Sequence, residues 1–177
     1  MILITTSRRP TRRVRSFCKD LALVIPNSTK VNRGKKSLHD VLIEAVQRRH
    51  PYFLIVEAWK GNPGNMLFYS KSNLQLEEPI AVFRVKGVKL QREIQRRTKW
   101  KKVGSIAVIK NPTNPELSEF FVRVFGGKLR EKTGQVKEDV TLEIKGNDEN
   151  ILKFKDGETG MEVGPRVRFK VVKLGLP

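Results

Sequence analysis

The sequence predicts an α/β fold of two similar halves, with mixed sheets and packed helices. Apolar blocks such as MILIT, YFLIVEAW, IAVFRV and RFKVVKL recur along the chain and alternate with stretches of helical periodicity. Glycine and proline turns separate them. Both halves also open alike, with a strand, a Pro-Thr turn and a helix: Pro10-Thr11 with Ser16 lies 102 residues before Pro112-Thr113 with Ser118. A chain of 177 residues gives room for one domain or two small lobes sharing a core.

Met1–Thr5 is apolar throughout and reads as a buried strand. A helix is predicted from about Pro10 to Val24, because Val14, Phe17, Cys18, Leu21 and Val24 fall on one face. Proline suits its first turn, and Pro26-Asn27 stops it. Thr29–Asn32 is a second strand. Ser37, with Asp40 three residues on, caps a helix from Leu38 to about Arg49. Tyr52–Lys60 and Met66–Ser72 flank Gly61-Asn62-Pro63-Gly64-Asn65, which predicts a hairpin with a five-residue loop. Ile80–Leu90 sets Val82, Arg84, Lys86 and Val88 against Ala81, Phe83 and Val85, a strand alternation. Residues 91–102 are a basic connector, readable as linker, short helix or strand extension. In the second half Ser105–Ile109 is a strand, Glu116 to about Phe125 a helix closed by Gly126-Gly127. Asp139–Lys145, Ile151–Lys155 and Arg166–Lys173 are strands. The expected division is an N-terminal half of about 1–90, the connector 91–102 and a C-terminal half of about 103–177.

Charge narrows the function. The net charge is +18 and the pI near 10.4, the footprint of a nucleic-acid binder. Residues 1–102 hold 23 Lys and Arg against 7 Asp and Glu, residues 103–177 hold 13 against 11. One half therefore carries the field, whereas a merely soluble surface mixes its signs. Cys18 is the only cysteine, which excludes an intrachain disulfide and fits a cytoplasmic setting. The apolar start is too short for a signal peptide. No stretch reaches the ~20 apolar residues of a membrane span, so no membrane partner is expected.

Three basic segments are candidate RNA contacts. Arg8, Arg9, Arg12, Arg13 and Arg15 crowd a strand-to-helix turn. Cations there oppose the helix dipole, roughly +0.5 charge at that end, whereas a phosphate is favoured by the dipole and the free N–H groups alike. Arg33, Lys35 and Lys36 repeat the pattern before the second helix. Gly34 and Ser37 there superficially match the end of a nucleotide-binding loop, but Thr29 stands where that loop needs its first Gly. Arg92, Arg96 and Arg97 extend the track, with Trp100 among them. Trp100 either stacks on an unpaired base or packs on the core. The plain alternative for all three segments is a solvated charged surface.

Catalysis finds no support. His39 and His50 lack any second ligand at metal spacing and read as surface or capping groups. Cys18 lies on an inner helix face and reads as a small core residue. No cofactor or metal is expected, and the chain is read as a non-enzyme. An RNA-processing nuclease is the contrary reading and requires clustered acids beside the basic face.

ILITTSRRPTRRVRSFCKDLALVIPN followed by KVNRGKKSL resembles the opening of the Brix-domain family of ribosome-biogenesis proteins. Glu162–Lys173 (EVGPRVRFKVVK) is similar to that family's closing strand motif, and Pro79-Ile80-Ala81-Val82-Phe83 to its Pro-Thr-Ala-x-Phe strand. Glu78 stands where the family often has Gly, and Ile80 replaces Thr. The chain looks like the compact archaeal version, a single Brix domain over 1–177. The resemblance implies two halves each like a synthetase anticodon-binding domain. It also implies rRNA binding during subunit assembly and rRNA processing, with pre-ribosomal particles and assembly-factor proteins as partners of a monomer. A tRNA-binding accessory module is the alternative from the same fold likeness.

Overall fold

Helix starts in this chain are set by side-chain caps. In α1 (Arg12–Val24) the Thr11 hydroxyl accepts from the Val14 N–H, so the helix opens after Pro10 and not at it. In α2 (Leu38–Gln47) Ser37 and Asp40 form the expected reciprocal box. In α4 (Pro115–Phe125) Asn114 caps and Pro115 fills the first turn. The caps Thr11 and Asn114 stand one residue further apart than the two Pro-Thr pairs, so the true repeat register is shifted by one. A four-residue α3 (Gln91–Ile94) follows the first half.

The strands are β1 (Ile2–Thr6), β2 (Thr29–Lys30), β3 (Tyr52–Trp59), β4 (Asn62–Ser70), β5 (Ala81–Lys89), β6 (Ile106–Ile109), β7 (Lys128–Arg130), β8 (Val140–Gly146), β9 (Asn150–Asp156) and β10 (Arg166–Leu174). The computed structural model describes residues 1–73, 78–94, 103–131 and 136–175. Among these the strands form one mixed ten-stranded sheet in the order β2-β1-β3-β4-β5-β10-β9-β8-β6-β7, where the sequence suggested separate sheets. Read inward from either edge the plan is the same. β1 runs parallel to β2 and β3, and β6 parallel to β7 and β8. The remaining pairs are antiparallel, and β5 meets β10 in the middle.

The sheet has two unlike faces. On one, α1 buries Val14, Phe17, Cys18 and Leu21, and α4 buries Leu117, Phe120, Phe121 and Val124, over a core shared by both halves. Phe83 of β5 lies 5.0 Å from Phe169 of β10, and both Phe68 and Phe83 meet Phe120 at 5.2 and 5.5 Å. On the other face α2 covers Leu3, Phe53 and Ile55 with Val41, Leu42 and Ala45.

Two local expectations are corrected. The hairpin between β3 and β4 turns at Lys60-Gly61, with φ of 46° and 84°, and pairs Trp59 with Asn62. A turn with both central residues at positive φ matches strand twist, and a bulge at Glu57/Ala58 absorbs the Pro63-Gly64 pair that looked like loop. Gly64 permits that approach, because a Cβ there would lie 2.5 Å from the Trp59 Cβ. Strand β7 was not anticipated. Its three residues are all exposed and show no apolar alternation.

Candidate nucleic-acid interface

The turn after β1 is held to the β3–β4 hairpin. The Ser7 N–H donates to the Val56 carbonyl at 2.9 Å, and the Thr11 hydroxyl donates to the Gly61 carbonyl at 2.8 Å. These bonds present Arg8 and Arg9 to solvent. Arg12, Arg15 and Lys19 follow as an exposed stripe on α1, the spacing that keeps side chains on one helix face. No acidic residue occupies the first turn of α1. Among the described residues none of Arg8, Arg9, Arg12 and Arg15 has an ion-pair partner. These four arginines thus stay open at a helix N-terminus, where an anion is favoured.

Arg13 is placed differently. Its guanidinium donates to both Glu93 carboxylate oxygens and to the Val88 carbonyl at 2.9 Å. Hydrogen bonding to Arg13 holds the Glu93 carboxyl below its usual range. The acid missing from the first turn is therefore supplied by α3. Asp20, half-buried on α1, accepts from the Gln91 N–H at 2.9 Å, a second tie between the same elements.

The second segment is split as well. Arg33 is only 8% exposed. Its Nε donates to the Lys36 carbonyl at 2.8 Å, while its Nη1 is buried with no partner among the described residues. Burial, and then the nearby Arg8, push its pKa down. Two loops distant in sequence therefore bring like charges together beside the carboxyl ends of β1 and β2. Lys35 is exposed, and Lys36 pairs with Glu44. Arg92 is exposed on α3. Arg96, Arg97 and Trp100 lie outside the described residues.

The structure adds a residue that sequence reading passed over. Trp59, at the tip of β3, is 68% exposed, with the Lys60 ammonium 5.9 Å from its ring centroid. It ends the apolar run YFLIVEAW, and the sequence reading gave it no role beyond that strand. The Gly61 turn immediately after it was the available signal that it stands at a rim.

The non-basic candidates read as structure. Burial pushes the Cys18 thiol up to about 12, which leaves it an unreactive core group. His39 is exposed. His50, expected as a surface or capping group, is 5% exposed and its Nε2 lies 3.0 Å from the Thr29 hydroxyl. The return from α2 to β3 carries it inward, and burial lowers its pKa. Among the described residues no group of three or more His, Cys, Asp or Glu is placed to hold a metal ion. No helix there is long and apolar enough to cross a membrane.

An α/β chain with a duplicated sheet plan and an open basic helix start has known relatives. A "Probable Brix domain-containing ribosomal biogenesis protein" of Aeropyrum pernix is 30% identical over 169 residues, 94% of this chain and 93% of that one. A protein of the same description from Thermococcus kodakarensis is 50% identical over 94 residues, 53% of this chain. That match spans 45% of the relative, less than half its length. The crystal structure of a probable ribosomal biogenesis protein from Aeropyrum pernix superposes with a TM-score of 0.75 at 29% identity, covering 99% of this chain and 98% of that one. That of Mil, an archaeal Imp4-like protein, gives 0.68 at 24% identity, covering 95% and 96%, and bears on the fold alone. No protein-family model matches the chain. The chain belongs to the family of Brix domain-containing ribosomal biogenesis proteins, in its compact archaeal form.

Proposed function

We propose that this chain is an RNA-binding ribosome-biogenesis factor that holds rRNA during subunit assembly and rRNA processing without itself doing chemistry. The observation that carries this reading is the exposed group of Arg8, Arg9, Arg12 and Arg15 around the start of α1, without an ion-pair partner among the described residues. Phosphate is the ligand that this arrangement suits. Guanidinium forks bind it bidentately, the helix dipole adds to the attraction, and displaced counterions supply most of the affinity. Family membership favours rRNA within pre-ribosomal particles over other polyanions, and assembly-factor proteins as further partners. On this reading residues 1–177 act as one cytoplasmic, monomeric Brix domain. Its two halves, about 1–90 and 103–177 joined by the basic connector 91–102, are each like an anticodon-binding domain. Arg33, Lys35, Arg92, Arg96 and Arg97 extend the phosphate track, with Trp100 as a base-stacking group.

The test is binding of rRNA fragments to the full chain across a salt series, with tRNA as competitor. Reversing Arg8, Arg9 and Arg12 together to Glu is expected to weaken binding by more than about tenfold and to flatten the salt slope, with the unfolding midpoint little changed. Unaltered affinity and slope in that variant exclude the proposed grip. Equal competition by tRNA would turn the reading to a general RNA or tRNA module. Cleavage of labelled RNA in the presence of Mg²⁺, lost on substitution of nearby carboxylates, would turn it to an enzyme.

A further inference from the structure

The sheet face opposite α1 and α4 is covered by α2 at one end and open across its middle. One ladder row on this face runs Glu57, Asn65, Arg84, Lys170 over β3, β4, β5 and β10. Arg84 and Lys170 are direct cross-strand partners at the junction of the two halves, and both are exposed. Like charges placed opposite each other destabilise a strand pair. Exposed Lys86 on β5 and Arg168 on β10 flank them. Arg168 is paired with Glu149 at 3.0 Å. Arg84, Lys86 and Lys170 have no ion-pair partner among the described residues. Beside this row lies a cleft of about 800 Å³, lined by Ser7, Glu57, Trp59, Asn65, Arg84 and Lys86 among others. Trp59 forms one wall of it with its ring largely in solvent.

We infer that this open face binds a single-stranded segment of RNA, with a base stacked on Trp59 and the backbone phosphates along Arg84, Lys86 and Lys170. An exposed indole next to a row of unpaired cations supplies the two contacts that an unpaired strand offers, a π-face and a phosphate. A duplex keeps its base faces stacked inside and offers only the second. Glu57, which accepts from the Asn65 amide at 2.9 Å, sits at the tryptophan end of the row. Its charge repels phosphate and accepts base amino groups, so the base belongs at that end and the backbone toward β10. An anion between Arg84 and Lys170 also relieves their repulsion. The inference rests on the RNA-binding reading above and adds to it a second surface, on the face of the sheet away from α1.

The experiment titrates the full chain with a labelled oligocytidine of about ten nucleotides, a length in the range of ordinary single-strand sites. A blunt RNA duplex is titrated in parallel. Tryptophan quenching is followed together with anisotropy. Trp59→Ala is expected to weaken oligocytidine binding about tenfold and to remove part of the quench, with Trp59→Phe restoring most of the affinity. Arg84→Gln with Lys170→Gln is expected to lower the single-strand salt slope by about 1.4, roughly 0.7 for each phosphate that is no longer neutralised. Duplex binding should be unchanged in the Trp59 variants, because a duplex offers no free base face to the indole. Circular dichroism of each variant confirms the fold. Oligocytidine affinity and quench unchanged in both variants overturn the inference. If the Arg8, Arg9, Arg12 variant still loses duplex binding, that result leaves the RNA-binding reading standing. A chain that binds neither RNA removes both. Displacement of oligocytidine by polyglutamate of equal charge, as effectively as by unlabelled oligocytidine, also overturns it and identifies the face as one for an acidic polypeptide.

Discussion

The Arg13 guanidinium and the Glu93 carboxylate, eighty residues apart, are joined by two hydrogen bonds, one of them 2.9 Å from Nη2 to Oε2. The pair closes a local electrostatic fault, since the first turn of α1 holds arginines and no acid. It also anchors α3, because Glu93 accepts from the Leu90 N–H at 2.9 Å as well. Arg13 thus fixes the helix whose neighbouring arginines stay free. Arg13→Ala is expected to cost about 1–2 kcal/mol in urea unfolding, the range for a partly exposed charged hydrogen bond. Arg12→Ala should cost less stability and more RNA affinity. Equal stability effects would show that the Glu93 pairing contributes nothing to the fold.

Arg33 presents the opposite balance. Its Nε is held by the Lys36 carbonyl and its Nη1 is buried without a partner among the described residues, so the guanidinium contributes little to stability. Arg33→Met, which keeps the length and apolar stem, should change unfolding stability by less than about 1 kcal/mol. The same change is expected to lower RNA affinity several-fold. A large loss of stability with affinity intact would assign Arg33 to the architecture of the β2–α2 loop.

The aromatic cluster predicts how the halves unfold. Phe120 of α4 packs edge-on against Phe68 of β4 and Phe83 of β5, so a residue of the second half stands in the core of the first. Phe120→Ala is expected to destabilise by about 3–5 kcal/mol, and fluorescence and circular dichroism should report a single coincident transition. Two separated transitions would mean that the halves hold independent cores.

His50, Glu93 and Glu44 contribute to the acid side of the stability profile. Burial, then the N-terminal ammonium and Arg48, lower the pKa of His50 in the fold. The unfolded chain takes up a proton there below about 6.5, so stability is lost as pH falls through that value. Hydrogen bonds from Arg13 and from Lys36 depress Glu93 and Glu44 respectively. Their contribution is full above the ordinary Glu range, about 4.3, and disappears as pH falls through their lowered values. Urea midpoints between pH 7 and 5, about the window where an ordinary histidine titrates, should therefore decline in the native chain. They should decline less in His50→Gln. Parallel profiles for the two would exclude His50 as the source.

Sequence alone determined most of the strands, three of the helices and their buried faces, and the presence of a basic N-terminal half. Those properties are local: the spacing of Val14, Phe17 and Leu21, the capping pair Ser37 and Asp40, and the count of charges are read within a few residues. Strand β7 escaped because three exposed residues carry no period. The β4 start escaped because the bulge that seats Pro63 and Gly64 depends on the partner strand. The tertiary structure alone decided which cations are paired among the described residues. It gave Arg13 to Glu93, sank Arg33 beside Arg8, and set Arg84 opposite Lys170. The pairing of a charge depends on neighbours that sheet register and helix docking bring from far along the chain, and no local pattern encodes that distance.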